Sequence, residues 1–263
     1  MRNSMPGTAT PRRITHRDDR PRRPDRRGPQ GLALLYEDRD LLVVDKAAGL
    51  LTIATETDKE RTAYRLATDY VRHGQARSPH RIFIVHRLDR DTSGVLVFAK
   101  TEPIKRHLQD HWGETEKTYL AIVHGRLARK EDTLVSHLAE NAAYRVYSTP
   151  DHSKGLLSRT AYKVIREAKG FSLLEVRLLT GRKHQIRVHL AELGHPVVGD
   201  RRYGRDGDSH RQLALHAESI AFNHPATGQR LTFRAEVPAH FARLLGTASG
   251  PEPRQISAPF AKP

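Results

Sequence analysis

Cysteine is absent from the 263-residue sequence, and long apolar runs are absent as well. Without cysteine the chain cannot form disulfides, thiolate metal sites, iron–sulfur clusters or a nucleophilic thiol. Apolar runs such as Leu41–Val44 and Val95–Ala99 are far shorter than the roughly 18 residues of a membrane-spanning helix. The N-terminal segment also lacks the apolar stretch of a secretory signal. We therefore expect a soluble, cytoplasmic protein that is not associated with a membrane.

Acidic residues are outnumbered in this chain. Lysine and arginine number 45 against 30 aspartates and glutamates, which gives a formal net charge of +15. Apolar residues make up 37% of the sequence, less than the roughly 45–50% usual for globular domains. An excess of positive charge of this size is typical of proteins that bind a polyanion, most often nucleic acid.

Much of the excess charge lies near the N-terminus. Residues 1–30 contain nine arginines, three aspartates and five prolines, a net charge of +6. Such a segment buries too little apolar surface to offset its ordering entropy, so we predict a disordered basic tail. It is either a solubilising extension or an arm that binds phosphate groups. Residues 246–263 are predicted to form a second disordered tail, which leaves a single folded domain over residues 31–245.

Hydrophobic periodicity predicts many strands and few helices in the folded domain. Strands are predicted over residues 41–44, 81–85, 94–99, 118–123, 160–165, 171–179, 213–217, 220–222 and 231–235. Helices are predicted over residues 57–73, 184–193 and 102–112, the last with Thr101 as its N-cap. Most connections are too short for the crossovers that parallel strands require. We therefore predict an α+β fold with a mostly antiparallel mixed sheet flanked by helices and loops.

The densest polar stretch between two predicted strands is His86–Gly94, which contains Asp89. Catalytic groups concentrate on loops that a rigid scaffold positions. Arg87 and Arg90 flank the Asp89 carboxylate and would keep it ionised, as a nucleophile or base requires. The alternative is a solvated network of ion pairs that contributes little.

A second polar stretch, Thr180–His189, places a glycine and basic residues at the start of a predicted helix. Such a helix N-terminus can bind an anion. Arg187 lies beside the apolar stripe of this helix, so it can reach inward to a buried acid. The two histidines of the stretch do not have the spacing of a zinc-binding pair. Contact with phosphate or RNA and an ordinary solvated basic face remain alternatives.

A third stretch, Lys117–Gly125, contains Tyr119 in an apolar predicted strand. A core tyrosine with a satisfied hydroxyl is the ordinary interpretation of this residue. The functional alternative is a platform on which a nucleic-acid base stacks.

Taken in order, these segments resemble the RluA-type pseudouridine synthases. The similarity covers nearly all of residues 32–240, and its further elements are Leu35–Asp38, Leu41–Lys46 with Gly49, Gly194–Asp200 with Tyr203, Leu215–Ala217 and His224–Gly228. One departure is Ala47, which stands where the family usually has proline and touches no predicted catalytic group. The 30 residues before the first strand leave no room for the S4 RNA-binding domain of larger relatives. The resemblance is therefore to the smaller subgroup.

The resemblance implies that the chain isomerises chosen uridines in structured RNA without a cofactor or metal. The aspartate of the family's HRLD motif is the essential catalyst, which assigns this role to Asp89. Tyr119 matches the tyrosine that packs on the target base and is placed for proton abstraction from C5. Arg187 matches the residue that pairs with the catalytic carboxylate, and Arg87 the arginine that fills the space left by the uridine. Further RNA-binding candidates are Arg90, Lys117, Arg182, Lys183 and His184.

The reaction breaks the C1′–N1 bond and joins C5 to C1′. The carboxylate either attacks C1′ or removes the C2′ proton to give a glycal, and the sequence is compatible with both. The base must first leave its stack, at a cost that phosphate contacts offset.

A non-catalytic RNA-binding protein on the same scaffold is the competing hypothesis. A glycosidase or a phosphoesterase would need a second carboxylate or metal ligands, and neither set is assembled here. The expected substrate is large-subunit ribosomal RNA, transfer RNA or both, and the expected state is a monomer.

Overall fold

The computed structural model describes residues 29–55, 61–75 and 77–246. The two predicted tails lie almost entirely outside these residues. The described strands are β1 (Leu32–Glu37), β2 (Leu41–Lys46), β3 (Phe83–Ile84), β4 (Ser93–Ala99), β5 (Glu116–His124), β6 (Glu131–Glu140), β7 (Val146–Thr149), β8 (Leu156–Ala168), β9 (Phe171–Leu178), β10 (Leu215–Asn223) and β11 (Arg230–Arg234). The described helices are α1 (Ala63–Val71), α2 (Glu102–Asp110), α3 (Gln185–Glu192) and α4 (Ala239–Leu245). None of them is long and apolar enough to cross a membrane.

The described strands form one sheet of 11 strands with the main order β1-β2-β4-β10-β5-β9-β8-β6-β7. Strand β3 pairs with β4 outside this path, and β11 pairs with β10. All of these pairings are antiparallel except the one between β4 and β10. The predicted α+β class with a mostly antiparallel mixed sheet is therefore confirmed.

Gly94 permits the parallel contact at the centre of the sheet. It has φ = 115°, and a Cβ atom there would lie 2.2 Å from the carbonyl oxygen of Ala217. In the parallel register Gly94 is paired with Ala217, and Ser93 with His216. Any side chain at this position would force the two strands apart.

Side chains of β2 and β4 alternate between two hydrophobic clusters on opposite faces of the sheet. Leu42 and Val44 belong to the larger cluster, whereas Leu41 and Val43 belong to the smaller one. All seven residues of β4, Ser93–Ala99, are buried. A strand covered on both faces has a continuous apolar run, which explains why β2 and β4 were the clearest strands in the sequence.

Side-chain caps begin two of the helices. Thr101 caps α2 as predicted, and its Oγ1 atom accepts the backbone N–H of Ile104 at 3.4 Å. Thr62 caps α1 in the same way through the N–H of Arg65 at 3.1 Å. These bonds satisfy amide groups that have no partner inside the helix.

Some elements differ from the sequence-based predictions. The strands predicted over residues 213–217 and 220–222 form one strand, β10, which continues through a register irregularity between His216 and Ser219. Helix α2 ends at Asp110, and Trp112–Glu114 form a separate 3₁₀ turn. Only residues 83–84 of the predicted strand 81–85 are extended. The helix predicted over residues 57–73 begins at Ala63 among the described residues.

Strands β1, β6 and β7 and helix α4 were not predicted. In β6 and β7 most side chains are exposed or only partly buried. Strands at the outer end of a sheet bury few apolar residues, so their hydrophobic pattern is weak. Helix α4 has only seven residues, too few for a clear helical period.

Candidate active site

Asp89 lies on the loop between β3 and β4, and the backbone on either side of it is fixed. Thr52 Oγ1 donates to the carbonyl of Leu88 at 2.7 Å and accepts the N–H of Leu88 at 3.1 Å. The carbonyl of Arg90 accepts the N–H of Gly49 at 2.9 Å. The Asp89 side chain is 27% exposed. The loop therefore presents one partly exposed carboxylate from a rigid backbone.

Lys46, at the end of β2, forms hydrogen bonds that hold this loop in place. Its side chain is fully buried, and Nζ donates to the carbonyls of Ala47 at 3.0 Å, Leu50 at 2.7 Å and Arg90 at 3.0 Å. Burial lowers the pKa of Lys46 to about 8, although the nearby carboxylates, Asp89 among them, oppose this shift. Lys46 therefore stabilises the loop that carries Asp89 through hydrogen bonds from a buried ammonium group.

Ala47, which replaces the usual proline of the resembled family, takes part in the β1–β2 pairing. Its N–H donates to the carbonyl of Gly31 at 2.9 Å. Proline has no N–H and could not make this bond. Alanine at this position therefore permits a backbone hydrogen bond that proline would lack.

His86, at the start of the same loop, is a neutral hydrogen-bond acceptor. Its Nε2 atom accepts the N–H of Val97 at 3.1 Å, and its ring lies 4.9 Å from that of Trp112. Burial, followed by the charge of Lys117, lowers the pKa of His86 to about 3. The ring therefore anchors the loop to β4 without adding a charge.

Arg187 on α3 joins Asp89 to a second, buried carboxylate. Its Nη1 atom donates to Asp89 Oδ2 at 3.0 Å, and its Nε and Nη2 atoms donate to the two oxygens of Asp200 at 2.7 and 2.8 Å. Asp200 is fully buried and also accepts the N–H groups of Arg202 and Tyr203. Arg187 is thus oriented by Asp200 and directs its remaining edge at Asp89.

The pKa values of this pair shift in opposite directions. Burial disfavours the charged form of Asp200, but the hydrogen bonds and charge of Arg187 outweigh it and lower its pKa. Burial likewise disfavours charged Arg187, but Asp200 and then Asp89 raise its pKa. Both groups therefore remain ionised at neutral pH, and the cation next to Asp89 is permanent.

His184 faces Asp89 from the start of α3. The helix was predicted to begin at His184. In the structure His184 has a left-handed backbone with φ = 54°, so it is the N-cap and α3 begins at Gln185. Its Nε2 atom lies 3.8 Å from Asp89 Oδ2, and its Nδ1 atom lies 2.9 Å from the hydroxyl of Tyr203. Burial lowers the pKa of His184 more than Asp89 raises it, so the ring is neutral at pH 7.

Tyr203 determines the orientation of the His184 ring. Its hydroxyl accepts the N–H of Val146 at 3.0 Å, which leaves the hydroxyl hydrogen available for His184 Nδ1. The contact through Nδ1 leaves Nε2 as the ring nitrogen that faces Asp89. The centre of the Tyr203 ring also lies 5.0 Å from the guanidinium group of Arg145 and 5.2 Å from that of Arg187.

Tyr119 on β5 is 9% exposed. Burial, followed by the negative charge of Asp89, raises its pKa. The phenol is therefore protonated at neutral pH. It can pack against a ligand and donate a hydrogen bond, but it must lose its proton before it can act as a base.

The predicted site residues converge on one open cleft of about 1530 Å³. Residues lining this cleft include all the sequence-predicted ones: Arg87, Asp89, Arg90, Lys117, Tyr119, Arg182, Lys183, His184 and Arg187. Arg87 and Arg90 are exposed at its rim. Lys117 is partly buried and lies 5.4 Å from the ring of Trp112. Because most of these residues are cationic, the cleft suits a polyanion.

The remaining RNA-binding candidates lie on the segment before α3. The Nε atom of Arg182 donates to the carbonyl of Leu157 at 3.5 Å. Lys183 forms an ion pair with Glu140 of β6. Across the described ranges, no group of three or more histidines, aspartates and glutamates is arranged to hold a metal ion.

Sequence reasoning did not assign roles to Lys46, Thr52, Asp200 or Tyr203. Asp200 and Tyr203 belong to the segment of the resemblance that follows α3, but no spacing rule links an aspartate to an arginine 13 positions earlier. In the sequence, Lys46 has the appearance of an exposed turn residue, because lysine is rarely buried. Only the fold reveals the contacts of these residues.

Comparisons with known proteins identify the family to which this fold and site belong. A family model described as RNA pseudouridylate synthase matches residues 40–192, a range that includes Asp89, Tyr119 and Arg187. Ribosomal large subunit pseudouridine synthase D of Zymomonas mobilis is 34% identical over 241 residues, which cover 85% of this chain and 75% of the relative. The uncharacterized RNA pseudouridine synthase YhcT of Bacillus subtilis is 35% identical over 221 residues, which cover 82% and 72%.

A solved structure supports the fold assignment. Human RNA pseudouridylate synthase domain containing 4 superposes with a TM-score of 0.66 at 21% identity, covering 83% of this chain and 94% of that one. The chain therefore belongs to the RNA pseudouridylate synthase family. It is an isomerase of the class that converts uridine to pseudouridine in RNA.

Proposed function

We propose that Asp89 is the catalyst by which this enzyme isomerises specific uridines in structured RNA. The observation that carries the proposal is the environment of its carboxylate. Asp89 is partly exposed in a basic cleft and receives a hydrogen bond from Arg187, which the buried Asp200 orients. The permanent charge of Arg187 lies 3.0 Å from Asp89 Oδ2, and either mechanism begins at a carboxylate oxygen.

In the nucleophilic mechanism, an oxygen of Asp89 bonds to C1′ as the C1′–N1 bond breaks. The uracil leaves with the bonding electron pair, turns over, and bonds to C1′ through C5 as the ester oxygen departs. C5 then loses its proton and N1 gains one, so atoms and charge balance. In the alternative mechanism Asp89 removes the C2′ proton while the C1′–N1 bond breaks, which gives a glycal and the uracil anion. Asp89 then returns the proton to C2′ as C5 bonds to C1′, and C5 loses its proton while N1 gains one. Both are compatible with one ionised carboxylate.

We propose that Tyr119 packs on the target base and takes part in the loss of the C5 proton. Its raised pKa argues against a free phenolate before the reaction begins. Part of that rise comes from the charge of Asp89, which disappears while Asp89 is esterified to C1′. That charge is back on Asp89 once the ester oxygen has departed, so Tyr119 is still a protonated phenol when C5 loses its proton and would relay that proton through its hydroxyl.

We propose that Arg87 occupies the space left by the flipped uridine, because it is exposed at the rim beside Asp89. Arg90, Lys117, Arg182, Lys183 and His184 are proposed to contact the RNA around it. Flipping costs a few kcal/mol, which cationic contacts to phosphates offset.

Large-subunit ribosomal RNA is the proposed substrate, with transfer RNA as the second candidate. Two relatives, from Zymomonas mobilis and Nitrosomonas europaea, carry the name ribosomal large subunit pseudouridine synthase D, and each is 34% identical to this chain. We expect the enzyme to act as a monomer in the cytoplasm, without a metal or cofactor. Mapping pseudouridines by carbodiimide treatment and primer extension in a deletion strain would identify the target.

The test of the proposed chemistry is Asp89→Asn, assayed by tritium release from RNA labelled with [5-³H]uridine. We expect this variant to lose measurable activity while it still binds RNA, because the amide can neither attack C1′ nor accept a proton. Asp69→Asn, on the exposed side of α1, is the matched control and should keep full activity. An Asp89→Asn enzyme as active as the wild type would remove Asp89 from the mechanism. A wild-type protein that binds RNA but releases no tritium would favour the non-catalytic alternative.

A further inference from the structure

The turn between β6 and β7, residues 141–145, is held in one conformation at the wall of the cleft. Asn141 Oδ1 accepts the N–H groups of Ala143 at 3.0 Å and Arg145 at 2.9 Å. The carbonyl of Asn141 accepts the N–H of Tyr144 at 2.9 Å. Arg202 Nη2 donates to the carbonyl of Ala143 at 2.9 Å, which fastens the turn to the loop that follows α3.

Tyr144, at the tip of this turn, combines a strained backbone with an exposed ring. Its φ is 56°, in the left-handed region, which is unfavourable for an aromatic residue. Its side chain is 70% exposed, so core packing does not compensate for the strain. Strained residues that the surrounding structure holds in place concentrate at ligand-binding sites. Tyr144 also lines the cleft that contains Asp89.

Cations surround this turn. Lys183 Nζ lies 5.5 Å from the centre of the Tyr144 ring, and Arg202 is exposed beside the turn. Arg145 contacts the face of Tyr203, whose ring also contacts Arg187. The ring of Tyr203 therefore links Arg145 of the turn to Arg187, which pairs with Asp89. A base stacked on Tyr144 would have cations nearby for its phosphates.

We propose that Tyr144 is a stacking platform for an unpaired nucleobase next to the target uridine. This inference rests on the proposed function, because an RNA loop that delivers a uridine to the cleft also brings unpaired neighbours to the cleft wall, beyond the space that Arg87 fills. A tyrosine ring stacks on the π-face of any base, and aromatic platforms of this kind tolerate many sequences. Tyr144 would therefore select an unpaired neighbour and not a particular base.

Other exposed tyrosines of the described chain do not share this setting. Tyr64 on α1 is 39% exposed and Tyr147 on β7 is 41% exposed, and neither lines the cleft. Tyr64→Ala is therefore a matched control for Tyr144→Ala, since both remove an exposed phenol.

The binding test uses Asp89→Asn protein, so that no turnover occurs, and a stem–loop RNA with a uridine-rich loop that carries one 2-aminopurine. Stacking on Tyr144 should quench the 2-aminopurine fluorescence. Adding Tyr144→Ala should abolish the quenching and weaken binding by about 5- to 160-fold, the range that corresponds to loss of one base–aromatic stack. Tyr144→Phe and Tyr144→Trp should keep both properties, and Tyr64→Ala should match its parent.

The kinetic test uses otherwise wild-type enzyme and large-subunit ribosomal RNA labelled with [5-³H]uridine. Tyr144→Ala should raise KM by a similar factor and change kcat little, because Tyr144 does not touch the reacting atoms. A wild-type enzyme that releases no tritium would contradict the proposed function itself. An active wild type with unchanged KM and quenching in Tyr144→Ala would overturn the platform alone. Tyr144→Phe as weak as Tyr144→Ala would also overturn it, since the hydroxyl would then be the binding group.

Discussion

Asp200→Asn tests whether a buried carboxylate orients the cation at Asp89. The asparagine oxygen can still accept the N–H groups of Arg202 and Tyr203, and the hydrogen bond of Arg187 Nη2. The other oxygen, which accepts Arg187 Nε at 2.7 Å, becomes an NH₂ group. Two donors then face each other inside the protein, and the charge of Arg187 loses its buried partner.

The expected loss of stability is large because Asp200 is fully buried. Removing one partner of a buried ion pair costs about 3–5 kcal/mol. For a domain of this size that corresponds to a fall in Tm of roughly 6–20 °C. Misplacement of Arg187 should also lower kcat by about 100-fold, as a shift of one ångström in a catalytic group can do.

Thermal and urea unfolding, together with tritium release, measure these effects. Asp206→Asn, which changes an exposed aspartate on the same loop, should behave as wild type. Because folding lowers the pKa of Asp200 below 3.8, its stabilisation is present above pH 3.8 and is lost as the pH falls through its folded value. The variant should lack this acid-dependent loss. An Asp200→Asn enzyme with wild-type Tm and kcat would refute the proposed role of the ion pair.

Other predictions concern the buried Asp45, the closely packed Gly94 and residues 1–28. Burial, followed by a neighbouring carboxylate, raises the pKa of Asp45 to about 6, so Asp45→Asn should stabilise the protein above pH 6 by up to about 3 kcal/mol. In urea unfolding this gain should disappear near pH 4, and an equal gain at both pH values would contradict it. Gly94→Ala should destabilise the protein by about 3 kcal/mol or more, because its Cβ would meet the backbone of Ala217. Gly113→Ala, in open space, should be neutral, and equal Tm values for the two variants would refute the argument. Deletion of residues 1–28, which carry nine arginines, should flatten the plot of log K for RNA against log salt by about 0.7–0.9 per lost phosphate contact. An unchanged slope would show that the tail does not bind RNA.

The sequence signal was strongest where local pattern and burial agree. Strands β2 and β4 are covered on both faces, so their apolar runs are continuous and were predicted correctly. Strands β6 and β7 lie at the outer end of the sheet with few buried side chains, and no apolar pattern identified them. Their turn carries Tyr144, so the proposed stacking platform lies where the hydrophobic pattern of the sequence is weakest.

The ordered set of motifs singled out Asp89 through the resemblance to a known family, because the local pattern of a carboxylate flanked by arginines also fits a solvated network of ion pairs. Its electrostatic setting depends on tertiary structure. Arg187 is separated from Asp89 by 98 positions, and Asp200 comes from a third segment. Residue types determine which groups can ionise, whereas burial and distance determine how strongly they interact. The sequence by itself therefore determined the sheet-rich class, the polyanion partner and the candidate catalyst. Tertiary structure alone brings β2, the β3–β4 loop and α3 together. As a result the loop of Asp89 is hydrogen-bonded to the buried Lys46, and the Asp89 carboxylate contacts Arg187, which Asp200 orients.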